Sequence, residues 1–129
     1  MNKETKNWLK MAGYDITTAK QMLKTGRYVY VIFMCHLSIE KVLKAIICEE
    51  TERVPPKTHD LIYLLKICNI TLDDELLDFI GMINNTAVAT RYPEDLSKLV
   101  SSYSKQVATK YLDKTVEVIK CLNRDTRLK

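Results

Sequence analysis

The stretch Arg27–Glu50, RYVYVIFMCHLSIEKVLKAIICEE, decides the fold. Its opening, Tyr28-Val29-Tyr30-Val31-Ile32-Phe33, is built of β-branched and aromatic residues and by composition alone fits a buried strand. The apolar pattern then continues through Leu37, Ile39, Val42, Leu43, Ala45, Ile46 and Ile47 with no Gly or Pro to break it. Strands average about 5–6 residues, so a run of this length reads as a helix. Because it is apolar on nearly every side near its start, it is expected to lie at the centre of a bundle.

Working outward, Trp8, Met11, Ala12, Ala19, Met22 and Leu23 recur at helical spacing over Thr5–Lys24, and Gly26 follows as a terminator. After the central segment, Glu49–Lys57 is a polar connection broken by Pro55-Pro56, and Thr58 stands where an N-cap is wanted. A short helix is expected over His59–Cys68. Thr71, Asp73, Asp74 and Glu75 open another, acid-rich at its start as the helix dipole prefers, ending near Asn84. A loop carrying Arg91-Tyr92-Pro93 follows. A last helix then starts between Glu94 and Ser97 and runs to Leu122, with Leu99, Tyr103, Val107, Tyr111, Val116, Ile119 and Leu122 on its apolar side. The pattern predicts an all-α fold, an up-and-down bundle of about four to five helices with long central and terminal members, forming a single domain over residues 1–129.

Composition fits a soluble globular chain, with 47% hydrophobic and 28% charged residues. The net charge of +4 is too mild to indicate nucleic-acid binding by itself. Its distribution is uneven, since residues 97–129 carry eight Lys/Arg against three Asp/Glu. A basic C-terminal third can attract phosphate, and a solvated helix face is the favoured reading. Cys35, Cys48, Cys68 and Cys121 are scattered without a C-x-x-C pair and are read as reduced packing residues. The chain has two histidines, so the several His and carboxylate ligands of a zinc or di-iron bundle site are lacking, and no metal or cofactor is expected. With no apolar leader near Met1 and no apolar run long enough to span a bilayer, the expected location is the cytoplasm.

Three polar islands stand out in this apolar chain. His36, Glu40 and Lys44 are spaced i, i+4, i+8, so they stack on one helix face, where Glu40 can accept from His36 and pair with Lys44. Such a row suits a dimer seam or the support of a site. Asp15 lies on the apolar stripe of the first helix, between Ala12 and Ala19, where a carboxylate needs a partner. Lys57-Thr58-His59-Asp60 joins a cap, a cation and a helix N-terminus, whose outward N–H groups can hold an anion; in the alternative reading, the commoner one, Thr58 and Asp60 only cap the helix while His59 folds back onto the bundle. Arg91-Tyr92-Pro93 sets a planar cation beside an aromatic ring, a pair suited to gripping a phosphate and stacking a base, or to pinning a loop. No nucleophile elbow, P-loop or dinucleotide fingerprint is present.

The whole chain resembles the HEPN family, small helical proteins that dimerise and are often encoded beside minimal nucleotidyltransferases. The resemblance rests on Trp8 with Ala12 and Asp15, on the run His36–Ala45 with its Glu40-Lys41-Val42-Leu43-Lys44-Ala45, on Lys57-Thr58-His59-Asp60-Leu61, and on Thr90-Arg91-Tyr92-Pro93. It implies a symmetric dimer. Some members are metal-independent ribonucleases that carry an Arg followed a few residues later by a His. After Arg91 this chain continues Tyr92-Pro93-Glu94-Asp95-Leu96-Ser97-Lys98, so the protonatable partner is missing there. Arg53 and His59 satisfy the spacing formally, across Pro55-Pro56.

The resemblance therefore favours a nucleotide- or RNA-binding module, partner of a minimal nucleotidyltransferase in a toxin–antitoxin-like pair, over an enzyme. Lys57, His59, Arg91 and Tyr92 are the expected ligand contacts, and Asp15, His36, Glu40 and Lys44 the supporting or dimer-seam residues. A ribonuclease toxin using Arg53 and His59, and a non-catalytic assembly protein, are the alternatives.

Overall fold

A computed structural model describes the backbone of residues 1–129 and all side chains except those of residues 89–91. It contains α1 Lys3–Lys24, α2 Tyr28–Thr51, α3 Leu61–Cys68, α4 Asp74–Arg91, α5 Leu96–Ser102 and α6 Lys105–Asn123, closed by a 3-10 turn, Thr126–Leu128. The architecture is an all-helical bundle, with more helices than the sequence pattern predicts. No helix among the described residues is long and apolar enough to cross a membrane.

α2 is the axis of the bundle. It packs against α1, α3, α4, α5, α6 and the terminal 3-10 turn. From Val42 to Cys48 every residue of α2 is buried, as its all-round apolar sequence requires. Its most extensive partner is α1, which faces it with Ala12 and Ala19, small side chains that let the two backbones come close. Gly26, at φ +80°, makes the turn between them, and Arg27 N–H donates to Met22 C=O at 2.9 Å to close a Schellman-type cap. That turn fixes where Arg27 leaves the bundle.

Three boundaries differ from the sequence reading. The third helix starts at Leu61 and is capped by Asp60, whose carboxylate accepts from Ile62 N–H at 3.1 Å and Tyr63 N–H at 3.3 Å. Thr58 instead supports the cap, its hydroxyl accepting from Asp60 N–H at 3.1 Å. The fourth helix starts at Asp74 with Asp73 as its cap, and it does not end near Asn84 but continues to Arg91. Ile80, Ile83 and Ala87 carry its buried stripe onward, and Pro93 is the first residue able to stop it. The last helix is two helices, because Tyr103 adopts an extended conformation and Ser104 caps α6 by accepting from Val107 N–H at 3.2 Å. In the Ser101-Ser102-Tyr103-Ser104 run, hydroxyls compete for backbone partners, and both Ser101 and Ser102 donate to Lys98 C=O.

The buried face of α6 is Ala108, Tyr111, Leu112, Thr115, Val118 and Leu122. Val107, Val116 and Ile119, expected inside, are half-buried flanks, because small Ala108 and Thr115 hold the true helical register. The C-terminus is clamped to α2: Arg127 donates to Asp125 and, at 2.7 Å, to Glu50, while Leu128 is buried. Burial pushes the thiols of Cys35 and Cys68 up to about 12, which leaves them inert packing groups at neutral pH.

Two measurements check this packing. Ala19→Leu forces extra volume into the α1–α2 contact and is expected to cost about 1–3 kcal/mol in urea unfolding, with the helical circular dichroism kept. The hydrogen bonds from Arg127 hold the Asp125 carboxyl below its ordinary range, so this contribution is full above about pH 4 and is lost as the pH falls through the lowered value. In thermal melts below about pH 4, Asp125→Asn should therefore lose less stability on acidification than the parent chain.

Candidate functional site

The central feature of the site is Glu40, a carboxylate with 3% exposure in the middle of α2. Its Oε2 lies 3.2 Å from Lys44 Nζ, one turn along the same helix, and its Oε1 lies 2.7 Å from His59 Nδ1 in the α2–α3 connection. Lys44 is itself buried, and its ammonium sits 5.7 Å from the centre of the Trp8 ring on α1. A carboxylate only accepts, so His59 carries its proton on Nδ1 and presents Nε2 outward. The imidazole is 60% exposed, so its far edge meets solvent while its near edge is held.

His36 reaches a second helix from this row. Its Nε2 lies 3.3 Å from Asn84 Oδ1 on α4, although the i, i+4 spacing points it toward Glu40. Asn84 is a junction that the sequence reading passed over. The same Oδ1 accepts from Leu61 N–H at 3.0 Å, and its Nδ2 donates to Asp60 Oδ1 at 3.1 Å. Asn84 thus ties α2 and α4 to the start of α3, immediately after His59. Asp15 is a separate contact, with Lys41 Nζ on α2 at 2.6 Å.

The expected anion grip at the start of α3 is not available. Leu61 N–H is taken by Asn84, Ile62 and Tyr63 N–H by Asp60, and Leu64 N–H by Asp60 C=O. With the first turn satisfied internally, an anion near His59 must be held by side chains.

A cleft of about 600 Å³ opens beside His59. It is lined by Arg27, Tyr28, Tyr30, Phe33, Leu37, Tyr92 and Pro93, with Leu96 and Val100 of α5 at one side. Two of the expected contacts, His59 and Tyr92, therefore share one wall-to-wall space, and Tyr92 is 86% exposed. Lys57 is exposed and stands outside the lining. The side chain of Arg91 lies outside the described residues. Arg53 lines a different cleft, with Asn2, Trp8 and Val54, so its sequence spacing does not bring it into the His59 cleft. Arg27 and Tyr30 belong to the cleft without any motif to announce them. Among the described residues, no three His, Cys, Asp or Glu side chains gather as a metal site would need.

The HEPN domain model matches residues 5–125. The chain belongs to the HEPN domain family. Among solved structures, it is similar to TT1696 from Thermus thermophilus, with 20% identity, a TM-score of 0.77, and 95% of this chain and 98% of that chain covered. It is also similar to ST0689, an archaeal HEPN homologue, with 16% identity, a TM-score of 0.75, and 95% and 97% of the two chains covered. At these identities the likeness establishes the fold. No curated protein sequence matches the chain. The HEPN fold here thus holds one histidine at the edge of an aromatic cleft, backed by a buried carboxylate.

The Glu40–Lys44 pair can be tested directly. Glu40→Ala leaves a buried ammonium uncompensated and is expected to cost about 3–5 kcal/mol in urea unfolding. Replacing both partners with apolar residues, Glu40→Leu with Lys44→Met, should restore most of that loss, because neither charge then remains buried.

Proposed function

We propose that this HEPN domain is a nucleotide- or RNA-binding module that seats a phosphate-bearing ligand in the His59 cleft. The observation that carries the reading is the meeting of His59, Arg27 and Tyr92 around one cavity of about 600 Å³, within the range of small-ligand sites. Tyr92 offers a face on which a base can stack, and Tyr28, Tyr30 and Phe33 give the cavity an aromatic interior. Arg27 and His59 supply the donors for a phosphate, with Arg91, next in the chain to Tyr92, as a further contact. Glu40 fixes the tautomer and direction of His59.

The module acts as a symmetric dimer. In support, α5 has no buried residue, and Tyr30, Tyr92, Leu96 and Val100 around the cleft are all at least half exposed, an apolar surface that a second copy would cover. A minimal nucleotidyltransferase is the proposed protein partner, a reading that rests on the family resemblance.

A second reading, a metal-independent ribonuclease, draws on one feature: a histidine held by a carboxylate at Nδ1 with Nε2 free toward a cleft can move a proton. The two readings separate in one set of experiments. The thermal midpoint should rise with millimolar ATP, GTP or a short RNA, since a ligand that binds the folded state alone stabilises it. Arg91→Ala and His59→Ala should each weaken that response by about tenfold or more in apparent affinity. RNA cleaved in the presence of a chelator, with cleavage lost in His59→Ala, would establish the nuclease instead. No thermal response to any ligand would leave an assembly role.

A further inference from the structure

A second concavity lies on another part of the bundle, between α4 and α6, with a volume of about 820 Å³. Its floor is apolar: Phe79 and Tyr111 pack with ring centroids 5.8 Å apart, and Val107 and Met82 flank them. Met82 is 50% exposed at this floor, a flexible and polarizable side chain of the kind that adapts to a docked apolar group. It shares no residue with the His59 cleft.

The rim carries the opposite charge from the rest of the protein. Glu75 and Asp78 on α4, and Asp113 and Glu117 on α6, stand against Lys110 and Lys114. Lys114 is bound by both Glu75 and Glu117. Among the described residues, Asp78, Asp113 and Lys110 form no ion pair, so the rim sets two unpaired carboxylates, one on each wall, against one unpaired ammonium. In a chain of net charge +4, this is a local reversal of sign around an apolar trough.

We propose that this groove docks a basic amphipathic helix from a partner protein, with apolar side chains on Phe79, Met82, Val107 and Tyr111 and Lys or Arg reaching Asp78 and Asp113. Charge selects this occupant over the others. A nucleic acid or phosphate ligand would bring its negative charge against four carboxylates that two lysines only half offset. A second copy of the chain seated groove to groove by a two-fold axis would bring two rims of the same net negative charge together. The chain's own described ends are tied to α2, Asn2 through its N–H to Glu49 and Arg127 to Glu50, and do not supply the helix. Helix-in-groove docking needs apolar anchors at helical spacing and a complementary rim, and both walls here are helices that provide them.

The test uses the full chain, isotope-labelled for amide spectra, and two synthetic helical peptides of about 18 residues with identical Leu spacing, one with Lys and one with Glu on the flanks. The Lys peptide should shift amides of α4 and α6 around Met82 and Tyr111 and saturate, with binding that weakens as salt is raised. The Glu peptide should bind at least about tenfold more weakly. Met82→Lys, at a half-exposed position, and the charge reversal Asp78→Lys with Asp113→Lys should each abolish the Lys-peptide shifts, with thermal melts confirming that both variants fold. The reversal should also admit the Glu peptide. Equal binding of the two peptides, shifts located elsewhere, no shift at all, or shifts that survive both variants would overturn the proposal. The nucleotide response of the same variants should be unchanged, which separates this groove from the His59 cleft.

Discussion

Everything around the site depends on one buried charge. Glu40 occupies a position in α2 that sequence neighbours such as Ile39, Val42 and Leu43 fill with hydrocarbon, and at 3% exposure it has almost no water to solvate it. A carboxylate taken out of water must be paired or lose its charge. Lys44 answers from one turn along the same helix, and His59 answers from the connection to α3. Lys44 in turn lies over Trp8, so the charge is enclosed by α1 on one side and by the α2–α3 connection on the other. Well-packed apolar residues would hold these elements together at lower cost. What they would not do is point one imidazole edge at a fixed direction in a cleft.

A second junction makes that direction hold. The segment carrying His59 leaves the bundle after buried Pro55 and returns at Leu61. Asn84 receives it there, bonded at once to Leu61 N–H, Asp60 and His36. His59 is thus gripped at its side chain by α2 and, two residues later, at its backbone by α4. The structural elements that place Tyr92 and His59 are the same ones, since α4 carries Asn84 in its body and Tyr92 at its C-cap. A small cleft walled by α2, by His59 in the connection, by Tyr92 at the end of α4 and by α5 keeps its shape because these contacts share atoms.

Most of the fold was legible in the sequence because it follows from periodicity. The length of the apolar run after Arg27 excluded a strand despite its β-branched start, and Gly26 marked the turn that its positive φ requires. The errors lie where local signals tie. Thr58 and Asp60 are both competent caps, and only the contact of Asn84 with Leu61 N–H settles which one starts α3. The break at Tyr103-Ser104 has no Gly or Pro, only hydroxyls whose competition with the helix is weak in any one residue. The site was legible in part. His59, Tyr92 and Glu40 stood out as chargeable or aromatic groups in unusual places, whereas Asn84 and Arg27 carry no pattern at all. Their importance comes from residues 23 or more positions away, such as Leu61 for Asn84, and single-sequence spacing does not encode such meetings.

The two concavities share no lining residue, yet α4 bears on both, lining one directly and leading to the other through its C-cap Tyr92. α4 presents Phe79 and Met82 to the groove on α6 and leads to Tyr92 at the aromatic cleft, while Ile80 and Ile83, both fully buried, lock the same helix into the core. Interiors packed to this degree yield little to a small force. Tilting α4 to enlarge one concavity would pull Ile80 and Ile83 out of contact and break the Asn84 bonds to α3. Both concavities therefore border a helix that the core holds in place. The same burial of Ile80 and Ile83 holds Asn84, and through it the segment that carries His59, in one position.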